Sequence, residues 1–455
     1  MRGQQSTAAS AVFTRGQGAI PMKSIRLNLC LFVCLCLFAA VWLARCTSDS
    51  PDTVSFAVGG APSEIAFWEK LVVQFTEETG IDVSLVRQPT DTDQRRQSLV
   101  TALRSKKRNP DVFLMDVAWV PQFAASGWLS PLSELISSLP NGAGPFFSRI
   151  IEQADTYNDT LIALPVYVDG GVLYYRTDLL DKYGIDAPPR TWAQLREYSL
   201  TVMEGERADN PRFYGFVWQG AQYEGLVCTF LEFAASNGGG LHLSDSMAAI
   251  DIEENREAVA FMRNSIHDWR ISPPNTYTEM KEEEVRTFFQ NGNALFERNW
   301  PYAWQLHQSA GSPVAGKTGV TLLPHFEGHA SVSTLGGWHI GMSRFTDASH
   351  NAWRLIRYIT SYEVQKRLAL ELGWNPGRED VYEDSTILRQ LPHFAQLQKA
   401  FATAIARPPV PYYSYLSRII QRHVNAALAG QTTVDKALRE GEQELVAAIK
   451  QYEQD

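Results

Sequence analysis

The sequence predicts an α/β fold arranged as two lobes, each a mainly parallel sheet flanked by helices. Three features predict it. A β-α-β unit opens the body of the chain near residue 54. A short, wholly apolar strand at 112–115 reads as one buried on both faces. Helices then grow dominant toward the end of a chain of 455 residues, more than one sheet needs. Composition agrees: 45% hydrophobic and 20% charged residues are ordinary for a globular protein. The formal net charge of −9 gives no basic face for nucleic acid.

The chain opens on a polar stretch, and Met22 reads as the true initiator because Lys23 and Arg26 follow it directly. An apolar run of 16 residues, 29–44, comes next. A short apolar core behind positive charge is the anatomy of a secretory leader, and it falls short of the roughly 20 residues of a spanning helix. Leu43-Ala44-Arg45-Cys46 resembles a bacterial lipobox, with Arg45 where that motif carries a small residue. Cys46 is therefore the candidate lipid anchor and 1–46 the leader. An uncleaved anchor or ordinary cleavage nearby are the alternatives, and each places the body outside the cytoplasm. Cys228 is the one cysteine beyond the leader, so the body forms no internal disulfide. Its apolar neighbours, Leu226 and Val227, mark it as a packed small residue rather than a nucleophile.

In the body, Val54-Ser55-Phe56-Ala57-Val58 alternates as a strand and Gly59-Gly60 ends it. From Ser63 onward, Trp68, Leu71, Val72 and Phe75 fall on one helical face, with Gly80 placed to terminate it. Ile81, Val83 and Leu85 alternate as the next strand, and 94–106 reads as a helix. Val172-Leu173-Tyr174-Tyr175 is a further strand, and Thr191 with Gln194 has the capping-box spacing of a helix start. Later helices are expected at 255–268, 352–372 and 433–452.

Two acids stand where open α/β sheets collect ligands, at the carboxyl ends of strands. Glu64 opens a helix after the first strand, and Asp116 directly follows the strand ending at Met115. The plain alternatives are a charge favoured by the helix dipole for Glu64 and an N-cap for Asp116. Trp300, Tyr302 and Trp304 crowd a Pro-interrupted stretch, and Trp338 follows Gly336-Gly337, which lets backbone approach closely. Sugars offer flat C–H faces to such rings and hydroxyls to carboxylates and arginines, although core packing is the usual fate of an indole. No metal site is expected: His325 and His329 are spaced i, i+4 but sit among Pro324 and Gly328. Gly238-Gly239-Gly240 reads as a turn, and Glu282-Glu283-Glu284 as a solvated helix face.

Tyr157-Asn158-Asp159-Thr160-Leu161-Ile162-Ala163-Leu164-Pro165, then 173–180 and Pro189-Arg190-Thr191-Trp192, resembles the family 1 extracellular solute-binding proteins. These are the maltose-binding-protein-like receptors of ABC sugar importers. Gly215-Phe216-Val217-Trp218-Gln219-Gly220, Tyr223-Glu224-Gly225-Leu226, Asn299-Trp300-Pro301-Tyr302 and Gly336-Gly337-Trp338 are similar to the trehalose/maltose-binding branch. The resemblance implies a two-lobed periplasmic-binding-protein fold with the ligand cleft between lobes. Lobe 1 would span 47–164 plus 331–373, and lobe 2 165–330 plus 374–455.

It also implies a disaccharide or short oligosaccharide of trehalose, maltose or sucrose type, bound by hinge closure and handed to a permease by an exported monomer without cofactor. Carried over onto this chain, the ligand set is Glu64, Asp116, Tyr167, Asp169, Trp300, Tyr302, Gly337, Trp338 and Arg407, with Arg95 as a further candidate. Arg407 has the alternative of capping the preceding helix, and Tyr302 of packing in the core. The rival class is a secreted glycoside hydrolase with Asp116 and Asp169 as its acid and nucleophile.

Overall fold

The computed structural model describes residues 53–454, apart from 61, 245, 246 and 403. The leader, Met22 and Cys46 lie outside the described residues. The opening β-α-β unit is present as β1 (Val54–Gly59), α1 (Pro62–Thr79) and β2 (Val83–Gln88). Every position of β1 is buried, and α1 buries Phe67, Trp68, Leu71, Val72 and Phe75, the stripe its spacing predicts. Asp91 caps α2 (Thr92–Arg104) by accepting from the Gln94 amide at 3.0 Å. β3 (Val112–Asp116) is buried throughout, and β1 pairs in parallel with both β2 and β3.

Further along come β4 (Leu164–Gly170), β5 (Val172–Arg176), α3 (Trp192–Glu206), β6 (Tyr214–Val217), α4 (Glu224–Ala235) and α5 (Glu253–His267). They are followed by α6 (Glu282–Gln290), β7 (Ala294–Asn299), β8 (Thr318–Thr321) and β9 (Ser333–Met342). The described strands form one sheet ordered β9-β3-β1-β2, with β4 also on β9, and a second ordered β8-β5-β7-β6. Around the second sheet packs a core in which Trp192 stacks on Phe233 at 3.9 Å. A separate core around Phe56, Trp68 and Trp353 lies on the first sheet. The architecture is the expected two-lobed α/β fold.

Both sheets are more mixed than a mainly parallel arrangement. β9 runs antiparallel to β3 and β4, and β5 antiparallel to β7 and β8. The reason is connectivity. β5 enters the second sheet from the first and β8 leaves it for the first, so the two must run in opposite directions.

The change of sheet falls a few residues beyond Pro165. All of β4 lies in the first sheet, and β5 in the second, so the first passage is at Gly171. The return passage ends at Ser333, whose hydroxyl donates to the Gly171 carbonyl at 2.7 Å. Here a fully buried ion pair sits: Arg298 grips Glu232 through Nε and Nη2 at 2.7 and 2.5 Å, and the Thr334 amide donates to the same carboxylate at 3.2 Å. Only glycine fits between, because a Cβ on Gly171 would lie 2.1 Å from Glu232 Oε1.

The helix expected over 352–372 is broken into α7 (Ser349–Ile359), α8 (Tyr362–Arg367) and a further turn (Leu368–Leu372). Ser361 causes the break by capping α8 with its side chain. A short strand, β10 (Ala404–Ile405), still pairs with β9. Then α9 (Tyr413–Leu428) and α10 (Val434–Gln454) join the second core through Leu416, Val424, Leu438 and Leu445. The last passage therefore follows Ile405, which puts Arg407 on it.

Candidate functional site

Strand register assembles the site. Trp338 of β9 is paired with Asp116 at the end of β3 on one side and with Tyr167 of β4 on the other. Two positions along, Gly336 faces Asp169. A register shift between Trp338 and His339 re-aims the strand here, and Trp338 is the only residue of β9 that is not buried. Gly337 has φ of 123°, and a Cβ there would meet the Tyr167 carbonyl at 2.4 Å, so the row requires glycine.

From the second sheet, β7 delivers Trp300 and Tyr302 just beyond its last residue. Trp300 approaches the first sheet at Gly336: a Cβ on that glycine would touch the indole at 3.1 Å and Asp169 at 3.3 Å. Between these groups lies a cleft of about 430 Å³, within the range of small-ligand sites. Its walls include all ten residues selected from the sequence: Glu64, Arg95, Asp116, Tyr167, Asp169, Trp300, Tyr302, Gly337, Trp338 and Arg407.

Several of these groups do more than face the cleft. Asp116 caps the turn after β3 by accepting from the Ala118 amide at 2.8 Å, and it also accepts from Arg407 at 2.7 Å. The N-cap reading thus holds, and the same carboxylate lines the cleft. Arg407 donates to Glu224 at 3.0 Å, and Tyr413 donates to the same carboxylate at 2.6 Å. It links carboxylates from the two sides of the cleft rather than capping a helix. Its Nε is buried with no partner among the described residues. Arg95 lies 4.1 Å over the Trp338 ring and donates Nε to the Pro89 carbonyl at 3.0 Å, so it backs the indole. Tyr167 packs against Trp374 with ring centroids 4.1 Å apart. Tyr302 donates to Glu283 at 2.6 Å, and its ring also packs against the first core, so both readings of it apply.

The electrostatics are unusual at two carboxyls. Burial pushes Asp169 up to about 7; the Asn375 amide, donating at 3.2 Å, works against that rise, and the charge of Asp116 adds to it. Burial likewise raises Glu282, whose neighbour Trp300 points its indole N–H at it from 3.5 Å. Cys228 also reaches the cleft wall, and burial pushes its thiol well up, away from the thiolate a nucleophile needs.

Sequence reasoning missed Tyr223, Glu224, Glu282 and Trp374, all of which line the cleft. Glu282 corrects the reading of 282–284 as a solvated face: it is partly buried beside Trp300, while Glu283 and Glu284 are exposed. The signal was available, since Glu224 and Glu282 each open a helix as Glu64 does. Among the described residues no group of His, Cys, Asp and Glu is arranged to hold a metal, and no helix is long and apolar enough to cross a membrane.

Known proteins share this fold. The profile of a family described as bacterial extracellular solute-binding protein matches residues 61–366. A probable ABC transporter-binding protein of Deinococcus radiodurans is 35% identical over 401 residues, 88% of this chain and 94% of its own. Maltose-bound MalE3 of T. maritima is 37% identical, with a TM-score of 0.81 over 86% of this chain and 98% of that one. An ABC transporter solute-binding protein from Thermotoga lettingae, bound with α-D-tagatose, is 28% identical, with a TM-score of 0.79 over 87% and 99%.

Proposed function

The chain belongs to the bacterial extracellular solute-binding proteins, and from that membership we propose that it is the sugar receptor of an ABC importer. It captures a disaccharide or short oligosaccharide of trehalose, maltose or sucrose type outside the cytoplasm and passes it to the permease. The observation that carries this reading is the juxtaposition of Trp338 and Asp116 on one wall with Trp300 and Tyr302 on the other, around one 430 Å³ cleft. Indole faces take the C–H surfaces of a sugar ring. Carboxylates on both walls accept from its hydroxyls, and the Arg407 guanidinium, which lines the cleft, holds Asp116 and Glu224 in place for them. Relatives that bind maltose and tagatose support a sugar as the ligand.

The ligand set proposed is Glu64, Asp116, Tyr167, Asp169, Trp300, Tyr302, Gly337, Trp338 and Arg407, with Arg95 acting through Trp338. Glu224, Glu282 and Trp374 join it. Contacts made to both walls at once favour the closed form, the one a permease recognises. The protein acts as an exported monomer held to the membrane by a lipid on Cys46, and mass spectrometry of the mature N-terminus checks that anchor.

A thermal-shift and calorimetry panel of trehalose, maltose, sucrose and longer glucans tests the receptor function. The matching sugar stabilises the fold by about 2.7 kcal/mol at 100-fold excess over its dissociation constant. Absence of stabilisation by every sugar refutes the sugar reading. Release of monosaccharide during incubation, abolished by Asp116→Asn, establishes the hydrolase instead.

A further inference from the structure

The cleft is strongly acidic. Nine carboxylates line it against three cations, Arg95, Lys281 and Arg407. Two of those cations are already engaged: Lys281 with Asp91 at 3.2 Å, and Arg407 with Asp116 and Glu224. The third, Arg95, is turned onto the Trp338 ring. Glu283 pairs with Arg286, and Glu371 with Arg367, just outside the lining, while two further carboxyls flank Trp300. Asp169 lies at one edge of that indole, both within 3.3 Å of the space above Gly336, and Glu282 lies at its N–H edge. Each of these carboxyls faces a neutral donor, the Asn375 amide for Asp169 and the Trp300 N–H for Glu282. The nearest guanidinium, Arg298, stacks on Trp300 at 4.1 Å, but its charge is matched by the bidentate Glu232.

We infer that the cleft sorts sugars by charge, with Asp169 and Glu282 as the specificity-determining residues. Neutral sugars bind, a sugar carrying a protonated amine beside Trp300 binds more tightly, and sugars carrying carboxylate or phosphate are refused. The inference deepens the receptor function and rests on it.

The physical grounds are direct. A hydroxyl gives each carboxylate one donor, whereas an ammonium gives three donors and a full opposite charge, and it also sits well against an indole face. Once the two carboxyls are ionised, above pH 7, an anionic substituent does the reverse: it places acceptors against acceptors and like charge against like in a partly desolvated site, where Coulomb interactions are strongest. Burial already disfavours the charged forms of Asp169 and Glu282, so a neighbouring cation relieves a standing cost and a neighbouring anion adds to it.

The test uses the mature full chain and matched derivatives of whichever neutral disaccharide binds best. In one series each primary alcohol is replaced in turn by an amine, in the other by a carboxylate, and affinities are read by titration calorimetry. At least one amine derivative should bind more tightly than the parent sugar, by up to tenfold. Every carboxylate derivative should bind at least tenfold more weakly, and 0.5 M salt should narrow the spread. Asp169→Asn and Glu282→Gln should each shrink the amine-to-carboxylate affinity ratio. Equal binding of parent and carboxylate sugars overturns the filter alone, as does a ratio that neither variant changes. Failure of every neutral sugar overturns the receptor reading, and the filter with it.

Discussion

Asp169 ties stability to binding at a single residue. Burial raises its carboxyl to about 7 from an ordinary 3.8. Between those values the folded protein holds a proton that the unfolded chain has released. Stability therefore falls as pH rises from about 4 to 7 and stays lower above that. Asp169→Asn removes the loss, and the variant should exceed the parent by about 2 kcal/mol at pH 8, after discounting for water in the cleft, with no difference near pH 4. Urea denaturation at the two pH values checks this, and an equal gain at both would mean that the carboxyl titrates normally.

Some cleft-lining positions were legible at this scale from local signals, while Tyr167, Asp169 and Arg407 came only through the family resemblance. An acid at a strand's end and an indole after two glycines each mark a position before any fold is known, and Asp116 and Trp338 were found that way. Trp374 carries no such mark. It faces the cleft only because Tyr167, more than 200 residues earlier, packs against it, and no local pattern encodes that meeting.

At the scale of elements, the sequence was most readable where side chains serve the element they belong to. The α1 stripe and the capping box of α3 appear as expected, with Thr191 accepting from the Gln194 amide at 3.2 Å. The helix over 352–372 failed because periodicity alone runs through Ser361, while a hydroxyl competing for a backbone N–H starts a new helix there. Strand direction also escaped the sequence, since it follows from which sheet each strand enters.

The passage between sheets shows how strongly tertiary contacts fix one such position. A methyl on Gly171 would lie 2.1 Å from Glu232 and 2.7 Å from Arg298. It must displace a buried ion pair, and a buried charge pulled off its partner costs about 3 kcal/mol or more. Gly171→Ala should lower the urea midpoint by that equivalent with an unchanged slope. A loss below about 1 kcal/mol would show that the backbone yields and the pair is undisturbed.

At the scale of the whole molecule, the two sheets are tied at opposite ends of the cleft by different means. Where Gly171 and Ser333 cross, the ties are buried hydrogen bonds, from Ser333 to the Gly171 carbonyl and from the Thr334 amide to Glu232. Across the cleft, the ties are ionic. Arg407 spans from Asp116 to Glu224 deep inside, and Lys281 reaches Asp91 at 3.2 Å with both side chains partly exposed. On the closure proposed above, the buried crossing would be the pivot and the exposed pair a catch that holds the cleft together before any sugar arrives. An exposed pair is worth about 1 kcal/mol at most, enough to shift an open–closed balance roughly fivefold without locking it.

Apparent affinity scales with the fraction of protein already in the competent form. Lys281→Ala should therefore weaken sugar binding about two- to fivefold without removing any of the contacts assigned to sugar. In X-ray scattering, the free variant should show a larger radius of gyration than the free parent, and saturating sugar should bring both to the same smaller value. High salt applied to the parent should reproduce the variant. Identical radii and affinities for the two proteins would mean that the pair decorates the cleft without governing its closure.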